Sequence, residues 1–156
     1  MTTTLYAQLE IGCDRYVLSA RRIARILPLS PIRAVPGVPV AVAGTLVFRA
    51  TPVPVADLTA LAFNRPSAIR LSTRILIVIP FDDEPERLLG LIAERVTNTL
   101  RLEDGSFISA GVQSQRAAFL GPLAMVDGCL VQRIEVDKLL PRSLFESLHE
   151  DLEIAS

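Results

Sequence analysis

The chain has 156 residues, half of them hydrophobic, no tryptophan, and a formal charge of -1 from sixteen basic and seventeen acidic side chains. That length suits one domain, or two small barrels sharing a core, and an apolar stock of Val, Ile, Leu and Ala suits short strands better than a few long helices. The balanced charge gives no field to draw nucleic acid or an anionic membrane, and no apolar run nears the roughly 20 residues that span a bilayer, so neither nucleic-acid binding nor direct membrane insertion is expected.

The first ten residues lack the basic start and apolar core of a signal peptide, which points to a cytoplasmic protein. Residues 4–11 alternate, with Leu5, Ala7, Leu9 and Ile11 on one face, and the Gly12-Cys13-Asp14-Arg15 turn leads into a short strand at residues 16–18. At residues 19–27 the period changes. Ser19 can cap, Ile23, Ile26 and Leu27 fall at helical spacing, and Pro28 stops the run, so a short helix is predicted with Arg21, Arg22 and Arg25 on its outer face. Residues 30–39 hold three of the eleven prolines and read as a stiff connection.

Residues 44–58, GTLVFRATPVPVADL, organise the chain. Two short apolar runs flank Arg49 and Ala50, which reads as strand, tight reversal, strand. Pro52 and Pro54 each remove a backbone donor and confine the second strand to an edge, or to positions facing away from a partner. Arg49 is displayed at the turn, where its fork of donors could meet a carboxylate or carbonyl on another protein. On spacing alone, a local pair that fixes the turn is favoured. Asp57 reads as a strand-end carboxylate that accepts backbone N–H groups.

Beyond it, residues 59–63 suit a helical turn and residues 64–72 a loop joining two halves. The run at residues 75–79 is apolar at every position, which implies burial on both faces. Residues 82–87 form a charged hairpin loop, residues 88–102 a returning strand, and residues 103–105 another turn. A surface loop is expected at residues 108–118. Strands at residues 119–126 and 129–134 flank an Asp127-Gly128 turn, and residues 141–152 place Leu144, Leu148 and Leu152 four apart on an amphipathic C-terminal helix.

No nucleophile, base and orienting group assemble, and there is no phosphate-binding loop, so the chain does not read as an enzyme. His149 reads as a surface histidine of the last helix. Cys13 and Cys129 show neither metal-ligand nor disulfide spacing, and reduced, inert thiols are expected, with no metal and no cofactor.

The stretch at residues 44–58 resembles the G-x-x-x-x-R-G-x-x-x-P-V-x-D-L signature of CheW-like coupling proteins: Gly44, Arg49, Pro54, Val55, Asp57 and Leu58 fall on it without a gap. Tyr16-Val17-Leu18, Val35-Pro36 with Pro39, the TRILIV run at residues 73–78, the GLIAERV run at residues 90–96, Leu120-Gly121, Asp127-Gly128 and Lys138-Leu139-Leu140 are similar to further segments of the family, in order. The resemblance implies a mostly β fold of two SH3-like five-stranded β-barrels sharing a core, with the short helix near residues 19–27 and the C-terminal helix. It implies a single domain over residues 1–156, with a first barrel near residues 12–70, a second near residues 71–140, a strand of open assignment at residues 1–11 and the C-terminal helix at residues 141–156.

It also implies a non-enzymatic adaptor that couples the regulatory domain of a CheA-type histidine kinase to the cytoplasmic tip of a methyl-accepting chemoreceptor, and is recruited to membrane receptor arrays through those partners. Ile23, Arg25, Arg49 and Ala50 fall where the family contacts receptor or kinase; Gly44, Pro54, Asp57, Gly90 and Gly121 fall at structural positions. Arg25 stands where the family usually has an acid, which implies an alternative chemosensory system, of the Wsp type, in place of the flagellar array. Ala50 stands where the family has glycine, so a turn that tolerates alanine is expected. The competing readings are a structural or dimerising module without receptor coupling and, ranked last, an unrecognised small-molecule enzyme.

Overall fold

The computed structural model describes residues 2–111 and 117–155. Among these residues nine strands and two α-helices follow one another as β1 (Thr3–Ile11), β2 (Asp14–Ser19), β3 (Ile23–Pro28), β4 (Val42–Phe48), β5 (Thr51–Asp57), α1 (Leu58–Phe63), β6 (Arg74–Val78), β7 (Leu89–Glu103), β8 (Leu120–Val126), β9 (Cys129–Ile134) and α2 (Arg142–Ala155). Part of the expected surface loop, residues 112–116, lies outside the described residues.

β7 is the element that both halves share. Its first part, residues 89–93, pairs with β6 antiparallel and, at residues 90–92, with β5 parallel, whereas residues 94–103 pair with β1. One group therefore runs β3-β6-β7-β5-β4 and the other β7-β1-β2-β9-β8. Among the described residues each has five strands, and neither closes on itself by strand pairing. β1 and β2 thus share a group with β8 and β9, and β6 shares one with β3, β4 and β5. Where β7 passes from one group to the other, Arg95 takes left-handed backbone (φ 49°) and its Nε lies 3.1 Å from Glu10 Oε2.

The apolar run of β6 shows how the chain fills this architecture. Ile75 and Ile77 join a cluster with Leu46, Phe48, Val53, Val55 and Ile92 inside the first group. Leu76 and Val78 point the other way, into the larger cluster between the groups with Leu9, Leu18, Leu91, Phe119 and Phe145. A third cluster, Tyr6, Val17, Ala124 and Val131, fills the second group. α2 docks on the shared cluster through Phe145 and Leu148, with Leu144 packed against it; of the expected stripe, Leu144 and Leu148 reach that cluster, and Phe145 beside them is the most deeply buried.

The predicted helix near residues 19–27 is corrected. Only Ala20–Arg22 coil, as one 3-10 turn, Ser19 makes no side-chain cap, and residues 23–28 are strand β3. The physical reason is a bulge between Ile23 and Arg25. One extra residue reverses the in-out alternation, so Ile23, opposite Val78, packs on the shared core, and Leu27, opposite Ile75, packs inside the first group. Apolar residues four apart thus face opposite sides of a strand, a spacing that imitates one face of a helix. His149 is also corrected: it is 8% exposed, its Nε2 lies 2.9 Å from Leu88 O, and its ring meets Phe145 edge-on at 4.6 Å.

Candidate functional site

The candidate residues divide between the reversal after β4 and the edge strand β3. β4 and β5 pair from Val42↔Ala56 to Phe48↔Thr51, which leaves only Arg49 and Ala50 to turn the chain. Both are left-handed, with φ 51° and 63°, the pattern of a type I′ hairpin turn that suits the twist of the strands. The expectation of a turn that tolerates alanine is thereby overturned: strand register, not residue preference, sets these angles. Arg49 has no carboxylate partner among the described residues. Its guanidinium lies 4.9 Å from the centre of the Phe48 ring, a cation–π contact within the turn. Val47, one residue earlier on the outer face, is 68% exposed.

The prolines sit where their missing donors do no harm. Pro54 pairs with Thr45 and Pro52 with Val47, positions whose backbone groups point away from the partner strand, and β7 joins β5 only from Val55. Thr45, in turn, exchanges both backbone hydrogen bonds with Arg33 of the preceding linker, at 2.9 and 2.8 Å. That linker fixes Gly44. A bulge separates Val42 from Gly44, the glycine has φ 148°, and a Cβ there would overlap the carbonyl oxygen of Arg33.

At the far end of β5 Asp57 is buried and caps α1. Its Oδ1 accepts from the backbone N–H of Thr59 (3.0 Å) and Ala60 (3.3 Å) and from the Ser67 hydroxyl (2.6 Å), and Oδ2 accepts from the Ser67 N–H (2.9 Å). The Thr59 hydroxyl donates onward to Glu94 on β7 (2.7 Å). This network pins α1 and the loop after it to the strand junction. Ser67 and Thr59 were not singled out from the sequence; a serine ten residues past a capping aspartate leaves no local signature. Gly90 and Gly121 serve close approach: a Cβ on Gly90 would lie 3.0 Å from Val55 Cγ2, and one on Gly121 would meet the Glu135 side chain.

On β3, Arg25 and Ile26 are exposed and Ile23 is half-buried. Among the described residues β3 pairs only with β6, so its other edge is free. Arg22, just before it, is held by the carbonyls of Ile79 and Pro80 and by Asp82 at 3.1 Å, which anchors the entry to the strand and leaves Arg25 without a carboxylate partner among the described residues. Ile26 was missed as a surface residue because a helical reading turned it inward. β3 and the β4–β5 turn lie at opposite ends of the order β3-β6-β7-β5-β4, so the structure does not bring Ile23 and Arg25 onto a strand paired with Arg49 and Ala50.

Among the described residues, no reacting constellation accompanies these surfaces. A cleft of about 340 Å³ is lined by Thr4, Tyr6, Ser19 and Arg133 among others, but Arg133 is already held by Glu135 at 3.0 Å and lies over the Phe107 ring at 4.9 Å. Among the described residues no group of three or more His, Cys, Asp or Glu side chains comes together. One ion-pair cluster is a fastener: Arg142 of α2 meets Asp83, Glu84 and Glu146 and covers the Phe81 ring at 4.3 Å. The hydrogen bond from Arg142 holds the Asp83 carboxyl below its usual range.

Comparison with known proteins agrees with this geometry. Residues 6–143 match the CheW-like domain family. Among solved structures, the chain is similar to the scaffolding protein TtCheW from Thermoanaerobacter tengcongensis, with a TM-score of 0.78, 18% sequence identity and 90% of each chain covered. No curated protein matches it. The fold is that of two SH3-like β units sharing a strand and a core, and among the described residues no helix is long and apolar enough to cross a membrane. The chain belongs to the CheW-like domain family, a family of signalling scaffolds and not of enzymes.

Proposed function

We propose that this protein is an adaptor that couples the regulatory domain of a CheA-type histidine kinase to the cytoplasmic tip of methyl-accepting chemoreceptors, and that these partners recruit it to receptor arrays at the membrane. The observation that carries the reading is the family match across residues 6–143, which takes in both five-stranded groups. The free edge of β3, with Ile23, Arg25 and Ile26, is the surface assigned to a partner, and the Arg49-Ala50 turn is the second. An arginine at position 25 favours a partner that bears a carboxylate and rejects one that bears an arginine, which fits a dedicated alternative chemosensory system.

Calorimetry with the regulatory domain of a CheA-type kinase from the same genome tests the adaptor reading, with Ile23→Asp and Arg49→Ala beside wild type. Binding of about -8 kcal/mol or better that survives both substitutions supports it and leaves those residues for the receptor. Absence of binding to every such kinase puts a structural or dimerising module in its place. Reversing the charge with Arg25→Glu is expected to change receptor preference; unchanged preference removes the assignment of position 25 to specificity.

A further inference from the structure

Among the described residues the two most exposed large apolar side chains are Ile69, at 85%, and Leu71, at 95%, and they flank the exposed Arg70 in the loop between α1 and β6. One exposed aliphatic on a loop is ordinary. Two of them on a braced tip are a display, because the fold holds them in water when a looser loop could fold them away. Ser67 is bound to Asp57 through its N–H (2.9 Å) and its hydroxyl (2.6 Å). Thr73, which is buried, closes the other side: its hydroxyl donates to Ala68 O (2.6 Å) and accepts from the Arg70 N–H (3.1 Å), and its own N–H donates to Arg70 O (3.1 Å). The ordering cost of this tip is thus met within the fold and not on binding.

The charge around the tip has one sign. No acidic residue lies between Asp57 and Asp82, whereas Arg65, Arg70 and Arg74 do. Arg74 donates to the carbonyls of Leu71 and Thr73, and neither it nor Arg70 has a carboxylate partner among the described residues. Where the loop meets β7, through Val96 N–H to Ser72 O at 3.2 Å, Glu94 already accepts from the Thr59 hydroxyl. Arg74 stands opposite Pro28, so the loop ends beside the end of the free β3 edge, where Ile26 is 45% exposed next to Arg25. Both stretches set exposed aliphatic side chains beside an arginine without a counter-charge.

We propose that residues 69–71 extend the β3 surface and dock an acidic, apolar-faced segment of the receptor tip, whose carboxylates meet Arg70 and whose apolar side chains cover Ile69 and Leu71; this rests on the adaptor reading above. Charge selects the occupant: a basic segment would meet Arg70 and Arg74 with like charge, and an uncharged one would cover them without a partner.

The test is calorimetry of full-length protein with the cytoplasmic tip of a chemoreceptor from the same genome, at low and high salt, with the kinase regulatory domain as control. Wild type is compared with the double variant Ile69→Ser, Leu71→Ser and with Arg70→Glu. Because all three side chains are exposed, both variants are expected to melt with wild type. Each should weaken receptor binding by at least about tenfold and leave kinase binding unchanged, and Arg70→Glu should also reduce the salt dependence. Receptor binding within about twofold of wild type in both variants would overturn this surface and leave the adaptor reading standing, whereas wild type that binds neither protein would remove both. Loss of kinase binding alone would give the tip to the wrong partner and overturn the proposal. So would sedimentation of wild type, but not of the variants, with phosphatidylglycerol vesicles, or a wild-type dimer that the variants lose, with receptor binding unaltered.

Discussion

Ala50 occupies a conformation that its own side chain resists. Left-handed backbone costs an L-residue about 1–2 kcal/mol, and glycine, which escapes that cost, returns part of it through the greater freedom of the unfolded chain. Ala50→Gly is therefore expected to raise stability by about 0.5–1 kcal/mol, read as a higher urea midpoint with an unchanged slope; a lower midpoint would mean that the alanine methyl makes a contact the exposed turn does not suggest. The left-handed Arg-Ala pair also sets Arg49 over the Phe48 ring, 4.9 Å from its centre. A second residue is tuned by its surroundings. Tyr16 is buried in the shared core, and burial, helped by the nearby Asp14 carboxylate, raises its phenol above the ordinary value of 10.0. The native state thus favours the neutral phenol; this contribution is complete below about pH 10 and is lost as pH climbs through the raised native value. Melting temperatures followed from about pH 8 to about pH 11 should fall more steeply for wild type than for Tyr16→Phe; parallel curves would place the alkaline loss elsewhere.

At the scale of elements, two bulges carry out the division between a barrel interior and a shared core. In β4, Val42 belongs to the shared core and Leu46, four residues on, to the first interior, because the bulge at Gly44 reverses the alternation between them. Gly44→Ala must accommodate a Cβ against the Arg33 carbonyl, a backbone atom that cannot rotate aside, while keeping φ at 148°. A loss of at least about 3 kcal/mol is expected by denaturant unfolding, since overpacking and backbone strain add; a loss under about 1 kcal/mol would show that the linker shifts freely. Bulges also explain what the sequence hid. β6 could be read because an unbroken apolar run has few outlets other than two buried faces, and the Asp127-Gly128 turn because its residues prefer the left-handed angles they adopt. β3 could not, because its bulge converts a period of two into apparent helical spacing at Ile23, Ile26 and Leu27. The glycine signature located the β4–β5 turn, yet the angles of Ala50 followed from the pairing of Phe48 with Thr51, a long-range fact that no local preference encodes.

For the whole molecule, the decisive feature is that neither five-stranded group owns its core. β7 belongs to both, and the largest cluster draws Leu9, Leu18, Leu76, Leu91, Phe119, Ile134 and Phe145 from both. Separating the groups would uncover that cluster on two sides and break β7 at Arg95, so a half-folded state keeps the entropy cost of its ordered half without the burial that offsets it. α2 adds to the coupling, because it packs Phe145 on the shared cluster while Arg142 reaches Asp83 and Glu84 in the loop between β6 and β7. The expected result is one cooperative transition, with far-ultraviolet circular dichroism and tyrosine fluorescence tracing the same urea curve and the calorimetric enthalpy equal to the van 't Hoff value. Tyr6 and Tyr16 report from the second interior and from the shared core respectively, so a separately melting second group would displace the fluorescence curve from the dichroism curve. Native-state hydrogen exchange gives the complementary reading: amides of β6 and of the first part of β7, enclosed by strands on both sides, should open only with global unfolding, whereas those on the free edge of β3 should exchange by local fraying. The difference between the two sets of amides would show that the β3 edge opens while the core behind it stays closed.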